Sequence, residues 1–233
     1  MTQIHSKETP IPFDAAQIKV IAFDLDGTLI DTSQAMLDVN HQVFSEAIDN
    51  GDANKQPTKE EVYSTFGMIG DEAWNTLASE IPDERSDHYK ERHNELLRDK
   101  MDTQSYVLPG VPELLKSLAG RYELATASNC GEAYLARVLA KDGLKELITY
   151  PLCAGSVNAE QKSDVLRELL RQSGLDTSEV LMVGDRKSDV DAAKEAGIPV
   201  VGVRSEFGDA DELQTAGVVI DKIEDLQKLL EQQ

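Results

Sequence analysis

Cysteine is nearly absent: Cys130 and Cys153 are the only two in 233 residues. They stand in neither a metal-ligand spacing nor a disulfide-dense pattern. That argues against a disulfide-stapled scaffold and a thiolate zinc site and suits a reducing compartment, so a cytoplasmic location is expected. No apolar run approaches the roughly 20 residues that span a bilayer, and no membrane partner is expected. The opening MTQIHSKETPIPFDAAQ has neither the charged start nor the apolar middle of a secretory signal; it reads as a loose arm before the first strand. Basic residues are scarce as well, with 23 Lys and Arg against 43 Asp and Glu and a net charge of -20. Such a field repels nucleic acid and anionic lipid. Most of the acids scatter along helical patterns such as DERSDHYKERHNELLRDK, as a solubilising surface would. There is no internal repeat and no low-complexity tract.

What is present is an ordinary globular composition, 40% hydrophobic and 28% charged. A chain of this length builds one generous core, or a core with a small accessory domain, since single domains run to roughly 100–200 residues. Residues 18–23, IKVIAF, form a short β-branched apolar run that ends abruptly in Asp-Leu-Asp-Gly, as a fully buried strand does. From about 33 to 103 the pattern is helical, broken by polar loops, with little that reads as strand. Beyond residue 108 short apolar runs alternate with helices. Strands are predicted at 122–127, 148–153, 179–183, 199–203 and 217–220, and helices at 111–119, 131–141, 162–172, 188–196 and 222–231. Gly120, Gly143, Gly174 and Gly197 follow helical patterns, where left-handed caps are wanted. This alternation implies parallel pairing and right-handed crossovers, hence an α/β fold with a doubly wound parallel sheet. The expected division is a core of residues 1–32 and 104–233, with an all-helical insert at 33–103.

In such a sheet ligands bind outside the carboxyl ends of the strands. Those ends carry Asp24 and Asp26, then Ser128 and Asn129, then Asp185 with Asp189 four residues on, while Lys162 begins the helix before that last strand. Asp24 and Asp26 are two apart, so on an extended chain they project to one side, and Gly27 frees the backbone to turn. Convergent carboxylates repel, and adding Asp185 makes the cluster untenable without a cation. All-oxygen ligation by few protein groups suits Mg²⁺ shared with a phosphate oxygen. Each piece alone has a plainer meaning: Asp-Gly as a turn, a lone Asp or Ser as a helix cap, Lys162 as a solvated charge. The combination DxDGT is different, because four fixed residues arise by chance in a chain this long on the order of once in a thousand. His5, His41, His88 and His93 share no spacing and read as surface residues.

These residues resemble the haloacid dehalogenase superfamily, in particular its phosphoglycolate phosphatase-like members with a small helical cap. DLDGTLIDT at 24–32 looks like the family's first motif, LATASN at 124–129 its second, Lys162 its third and VGDRKSD at 183–189 its fourth. The sequence departs from the common Lys-Pro pair at the third motif, where Gln161-Lys162-Ser163 stands. The resemblance implies a Rossmann-like core and a Mg²⁺-dependent phosphatase acting on a small phosphorylated metabolite. Asp24 would be the nucleophile, forming an aspartyl-phosphate, and Asp26 the general acid and base. Asp24, Asp185 and the main-chain carbonyl of Asp26 would hold the metal, and Ser128 and Lys162 the phosphoryl oxygens. Asp189 would orient a metal-bound water or Lys162 from behind, with Thr28 and Asn129 as further phosphate contacts. Dehalogenases of the superfamily lack the acid two residues after the nucleophile, so Asp26 points to phosphoryl chemistry.

The insert occupies the cap's place, and Phe66-Gly67-Met68-Ile69-Gly70 is expected either to face the substrate or to be a plain helix-to-helix turn. The alternatives are a sugar-phosphate mutase resembling β-phosphoglucomutase and a non-catalytic binding protein that keeps the fold. The active form is expected to be a monomer or homodimer.

Overall fold

The computed structural model describes residues 13–69, 71–205 and 210–232. Most of the expected loose arm, with His5, lies outside them. Six strands, β1 (Val20–Phe23), β2 (Glu123–Ser128), β3 (Tyr150–Cys153), β4 (Val180–Gly184), β5 (Val200–Val203) and β6 (Val218–Ile220), form one sheet in the order β3-β2-β1-β4-β5-β6. Every pairing is parallel, with Val20 opposite both Glu123 and Val180. The doubly wound α/β sheet expected from the alternation is therefore the one observed, and the strands begin and end within about two residues of the expected bounds.

Alternation along the strands feeds a core on each face. Ile21, Phe23, Leu124, Leu181 and Val183 join one cluster with α5 (Val111–Leu118), α6 (Glu132–Leu139) and α10 (Asp225–Gln232). Val20, Ala22, Ala125, Val180 and Met182 join the other with α8 (Lys162–Ser173) and α9 (Lys187–Ala196), next to the single turn α7 (Ala154–Val157). Both faces being covered explains why β1 is apolar at every position and wholly buried.

The 33–103 stretch contains α1 (Ser33–Asp49), α2 (Lys59–Ser64), α3 (Glu72–Leu77) and α4 (Asp83–Thr103). They pack around a third apolar cluster of their own, including Val39, Phe44, Trp74 and Tyr89. Thr58 starts α2 with a capping box: its hydroxyl accepts from the Glu61 amide at 3.2 Å, and Glu61 accepts from the Thr58 amide at 2.7 Å. Among the described residues no helix is long and apolar enough to cross a membrane.

One cap expectation is corrected. Gly174 and Gly197 close α8 and α9 in the left-handed region, but α5 ends at Ala119 in right-handed geometry and Gly120 has no positive φ. There the chain turns straight into β2 through the Arg121 and Tyr122 amides, which both donate to Leu118 O. Gly143 has a positive φ, but it sits in the loop beyond the Ala140 cap of α6.

Candidate active site

The sheet reverses its winding direction at β1, with β2 and β3 to one side and β4 to β6 on the other. The crevice at the carboxyl ends beside that switch point is where a doubly wound sheet binds ligands. The Asp24 amide donates to Val183 O at 2.9 Å, so Asp24 leaves β1 still tied to β4. The chain then tightens: the amides of Thr28, Leu29 and Ile30 all converge on Leu25 O, and Gly27 takes φ +89°. A Cβ on Gly27 would lie 2.1 Å from Asp185 Oδ2, so glycine here meets both a backbone demand and a close approach.

Around this turn the strand ends bring acids together. One carboxylate oxygen each of Asp24, Asp185 and Asp189 falls within 4.8 Å of the others, and all three residues are buried. Lys162, at the start of α8, reaches among them; its ammonium donates to Asp24 Oδ1 at 2.7 Å and also to Asp189 Oδ1. Only 3% of its side chain is exposed, so it is not the solvated charge that a lysine at a helix start usually is. Burial opposes its positive charge, but Asp189 and Asp24 outweigh that and raise its pKa. Asp189 uses its other oxygen to cap α9, accepting from the Arg186 amide at 2.9 Å. Its carboxylate fits because residue 184 is glycine, where a Cβ would lie 2.3 Å from Asp189 Cγ.

Asp185 accepts from Thr28 Oγ1 at 3.2 Å and from Ser205 Oγ at 2.6 Å. The Thr28 side chain is thus engaged with an acid and does not line the cavity above Asp24. Burial, the first cause, together with the neighbouring acids Asp189 and Asp24, pushes the Asp185 carboxyl well above the ordinary carboxylate range. Asp24 is raised to about 7, mainly by burial, with Lys162 opposing the rise. Three buried carboxylates thus face one buried ammonium. The surplus of negative oxygen donors fits a hard divalent cation and leaves it unneutralised in the protein alone.

Asp26 lies apart from that cluster, although it opens on the same cavity. Its carboxylate accepts from Tyr134 Oη at 2.8 and 3.1 Å and from the Thr32 hydroxyl, and Tyr134 also reaches Thr32 Oγ1 at 3.3 Å. Burial raises the Asp26 pKa, while the Thr32 and Tyr134 hydrogen bonds pull it down. Neither Thr32 nor Tyr134 was among the residues singled out from sequence. The signal available was weak, a hydroxyl six residues past Asp26 and a tyrosine in the first turn of the helix that follows Asn129.

Ser128 ends β2 buried at 4% exposure, its hydroxyl accepting from the Cys130 amide at 3.3 Å. Asn129 Nδ2 donates to Gly67 O at 2.6 Å, tying the Phe66–Gly67–Met68 loop to the core, and all three loop residues line the cavity. His93 corrects the surface reading of the histidines: it lines the same cavity, with its ring 5.9 Å from Trp74. His41 is half-buried against Pro57 O at 3.0 Å, and His88 is exposed.

A family model for haloacid dehalogenase-like hydrolases matches residues 21–203. Over 203 residues the chain is 32% identical to the phosphoglycolate phosphatase of Mesorhizobium japonicum, covering 82% of this chain and 84% of that one. It is 28% identical to a 5'-nucleotidase of Pseudomonas aeruginosa, again over 203 residues, covering 83% and 86%. A haloacid dehalogenase-like hydrolase from Streptococcus pneumoniae superposes with TM-score 0.79 at 20% identity, over 94% of this chain and 100% of that one. A β-phosphoglucomutase from Clostridium difficile superposes with TM-score 0.74 at 18% identity, over 92% and 98%. At those identities the two structures speak for the fold alone.

Proposed function

Because the chain belongs to the haloacid dehalogenase-like hydrolases, we propose that it is a Mg²⁺-dependent phosphatase of a small phosphorylated metabolite that works through an aspartyl-phosphate on Asp24. The observation that carries this reading is the buried cluster of Asp24, Lys162, Asp185 and Asp189 at the strand ends, with Asp26 on separate hydroxyl donors beside it.

An Asp24 oxygen attacks phosphorus as the bond to the leaving oxygen breaks, and Asp26, neutral at that moment, gives its proton to that oxygen. Burial favours the neutral form of Asp26. In the second step Asp26, now ionised, takes a proton from the water that attacks phosphorus, and the bond to Asp24 breaks. Tyr134 and Thr32 hold the carboxylate in place through both steps and favour its ionised form in the second. Lys162 offsets charge on the phosphoryl oxygens, and Asp189 fixes its ammonium. Ser128 offers its hydroxyl to the same group. Asp24, Asp185 and the Asp26 carbonyl would hold Mg²⁺, which supplies positive charge against the phosphoryl oxygens and favours ionised Asp24. Helices α1–α4 serve as the cap that closes over the cleft and excludes water.

The test is phosphate release from p-nitrophenyl phosphate with and without Mg²⁺. Asp24→Asn should abolish it; wild-type turnover in that variant, or full activity in excess chelator, would refute the mechanism. A mutase would return the phosphoryl group to sugar, and product analysis with a hexose 1-phosphate separates the two outcomes. Hydrolysis is preferred because the sequence relatives that span most of the chain carry the names of hydrolases.

A further inference from the structure

The only two cysteines of the chain meet in the fold, and the phosphoryl chemistry uses neither. Cys153 closes β3, fully buried, with Ser128 as its partner across the β2–β3 ladder. Cys130 lies two residues past the end of β2, half-buried, and lines the cavity above Asp24. Their segments are packed as closely as backbone allows. The Gly155 amide donates to Cys130 O at 3.1 Å, and a Cβ on Gly155 would lie 2.8 Å from Gly131 Cα. Both side chains belong to one apolar cluster, and the Cys130 S–H donates to the Cys153 sulfur.

That contact, aided by the hydroxyl and amide of Ser156, lowers the Cys153 pKa to about 6 against the effect of burial; the same contact, with burial, holds the Cys130 thiol well above its ordinary value. The pair therefore gives up one proton readily and shares the one that remains. Transfer of that proton along the S–H···S bond puts the thiolate on Cys130, the member that opens on the cavity, and the thiolate is the form that reacts with oxidants.

Cys130 is also tied to the groups that hold the site. Its amide donates to Ser128 Oγ at 3.3 Å, its neighbour Asn129 holds Gly67 O at 2.6 Å, and Tyr134 in the first turn of α6 holds Asp26 at 2.8 Å.

We propose that Cys130 and Cys153 form a reversible disulfide on exposure to a hydroperoxide and that this bond lowers turnover at the neighbouring site. The Cys130 thiolate attacks one peroxide oxygen, the O–O bond breaks, and the departing hydroxide takes the Cys153 proton to form water, leaving Cys130 as the sulfenic acid. The Cys153 thiolate then attacks the Cys130 sulfur, the S–O bond breaks, and the second hydroxide takes up the proton first released. Two thiols and one peroxide thus give one disulfide and two waters. Cys153 is fixed at a strand end with no exposed surface, so a covalent bond draws the Cys130 turn toward β3. That pulls the Cys130 amide from Ser128 and shifts Asn129 and Tyr134 with it. In a reducing compartment the bond is transient, because thiols there are otherwise kept reduced. The bond itself is independent of the proposed function; its effect on turnover rests on the phosphatase reading.

The test treats the wild-type protein with hydrogen peroxide and follows three quantities: free thiols in the unfolded chain, intact mass, and phosphate release from p-nitrophenyl phosphate with Mg²⁺. Both thiols should vanish, the mass should remain that of one chain less two hydrogens, and kcat/KM should fall roughly 100-fold, the loss that a misplacement of about 1 Å can produce. Dithiothreitol should reverse all three. Cys130→Ala should keep its turnover through the same treatment, and Cys153→Ala should form no bond within the chain, so either variant serves if the other does not fold. Thiols that persist, a gain of oxygen alone, or a bond only between two chains would overturn the pairing. A bond formed within the chain at unchanged turnover would overturn the control of the site. Absence of phosphate release before oxidation would overturn the phosphatase reading, while thiol count and mass would still decide the bond.

Discussion

Replacing Lys162 by Met tests the site most directly, because it removes the single cation from a cluster of buried acids at nearly constant volume. The Lys162 and Asp24 side chains are 3% and 8% exposed and that of Asp189 is 0% exposed, so solvent does little to screen the loss. Breaking one partner out of a buried ion pair costs about 3–5 kcal/mol. The lower end applies, because Asp24, already raised to about 7, relieves part of the strain by taking a proton. For a chain of this size about 3 kcal/mol lowers Tm by roughly 6–12 °C.

The deficit depends on pH. Lys162 is a cause that lowers the Asp24 pKa, so its removal lets that carboxyl rise further. A carboxyl raised in the folded state is tolerated at low pH and destabilises as pH climbs from its unfolded value through its folded one. Without metal, the difference in Tm from wild type should therefore be larger at pH 8 than at pH 5.5. Turnover should fall about 100- to 1,000-fold, the scale on which one charge-stabilising donor acts in a transition state. Thermal denaturation in metal-free buffer and steady-state phosphate release with Mg²⁺ provide both readouts. Near-wild-type turnover together with an unchanged Tm at pH 8 would refute the role given to Lys162.

The same linkage governs the metal. Wild-type protein without metal should lose stability as pH rises from the ordinary value of 3.8 to about 7, the interval over which the unfolded chain has released the Asp24 proton that the folded protein still holds. Mg²⁺ at 100 times its Kd adds about 2.7 kcal/mol, so it should raise Tm more at pH 8 than at pH 5.5; an equal rise at both would count against ligation by Asp24. Tyr134→Phe removes the single hydroxyl whose proton, shared between the two Asp26 oxygens, lowers the Asp26 pKa, so the limb of the kcat/KM pH profile that reports Asp26 should move to higher pH, with kcat reduced; an unmoved limb would mean that Tyr134 only packs. Gly184→Ala places a Cβ 2.3 Å from Asp189 Cγ, and overpacking of this kind costs about 1–3 kcal/mol; a chemical denaturation midpoint equal to wild type would show that Asp189 can move without penalty.

The sheet was legible because its information is local. IKVIAF and the later apolar runs alternate with helical patterns, and a strand buried on both faces is predominantly apolar, so periodicity fixes the strands to within about two residues, while the last helix starts at Asp225, three residues past the expected 222. The motif positions at the strand ends were legible for the same reason, since a parallel sheet places its ligands where its strands stop. The cap of α5 was misread at Gly120 because whether a helix stops on a left-handed residue depends on where the chain must go next, and there it goes directly into β2.

Tertiary structure alone decided which charges meet. Lys162 and Asp24 are 138 residues apart, and Tyr134 and Asp26 are 108 apart; no local pattern encodes either contact. Sequence placed Asp24 and Asp26 together as neighbours, whereas folding separates their duties by giving the first an ammonium and the second two hydroxyls. His93 passes from an apparent surface residue to part of the cavity wall in the same way. The difference has one physical origin: backbone periodicity is set by steric and hydrogen-bonding rules within a few residues, while a carboxylate's partners and pKa are set by whatever distant groups the packed core brings within a few ångströms.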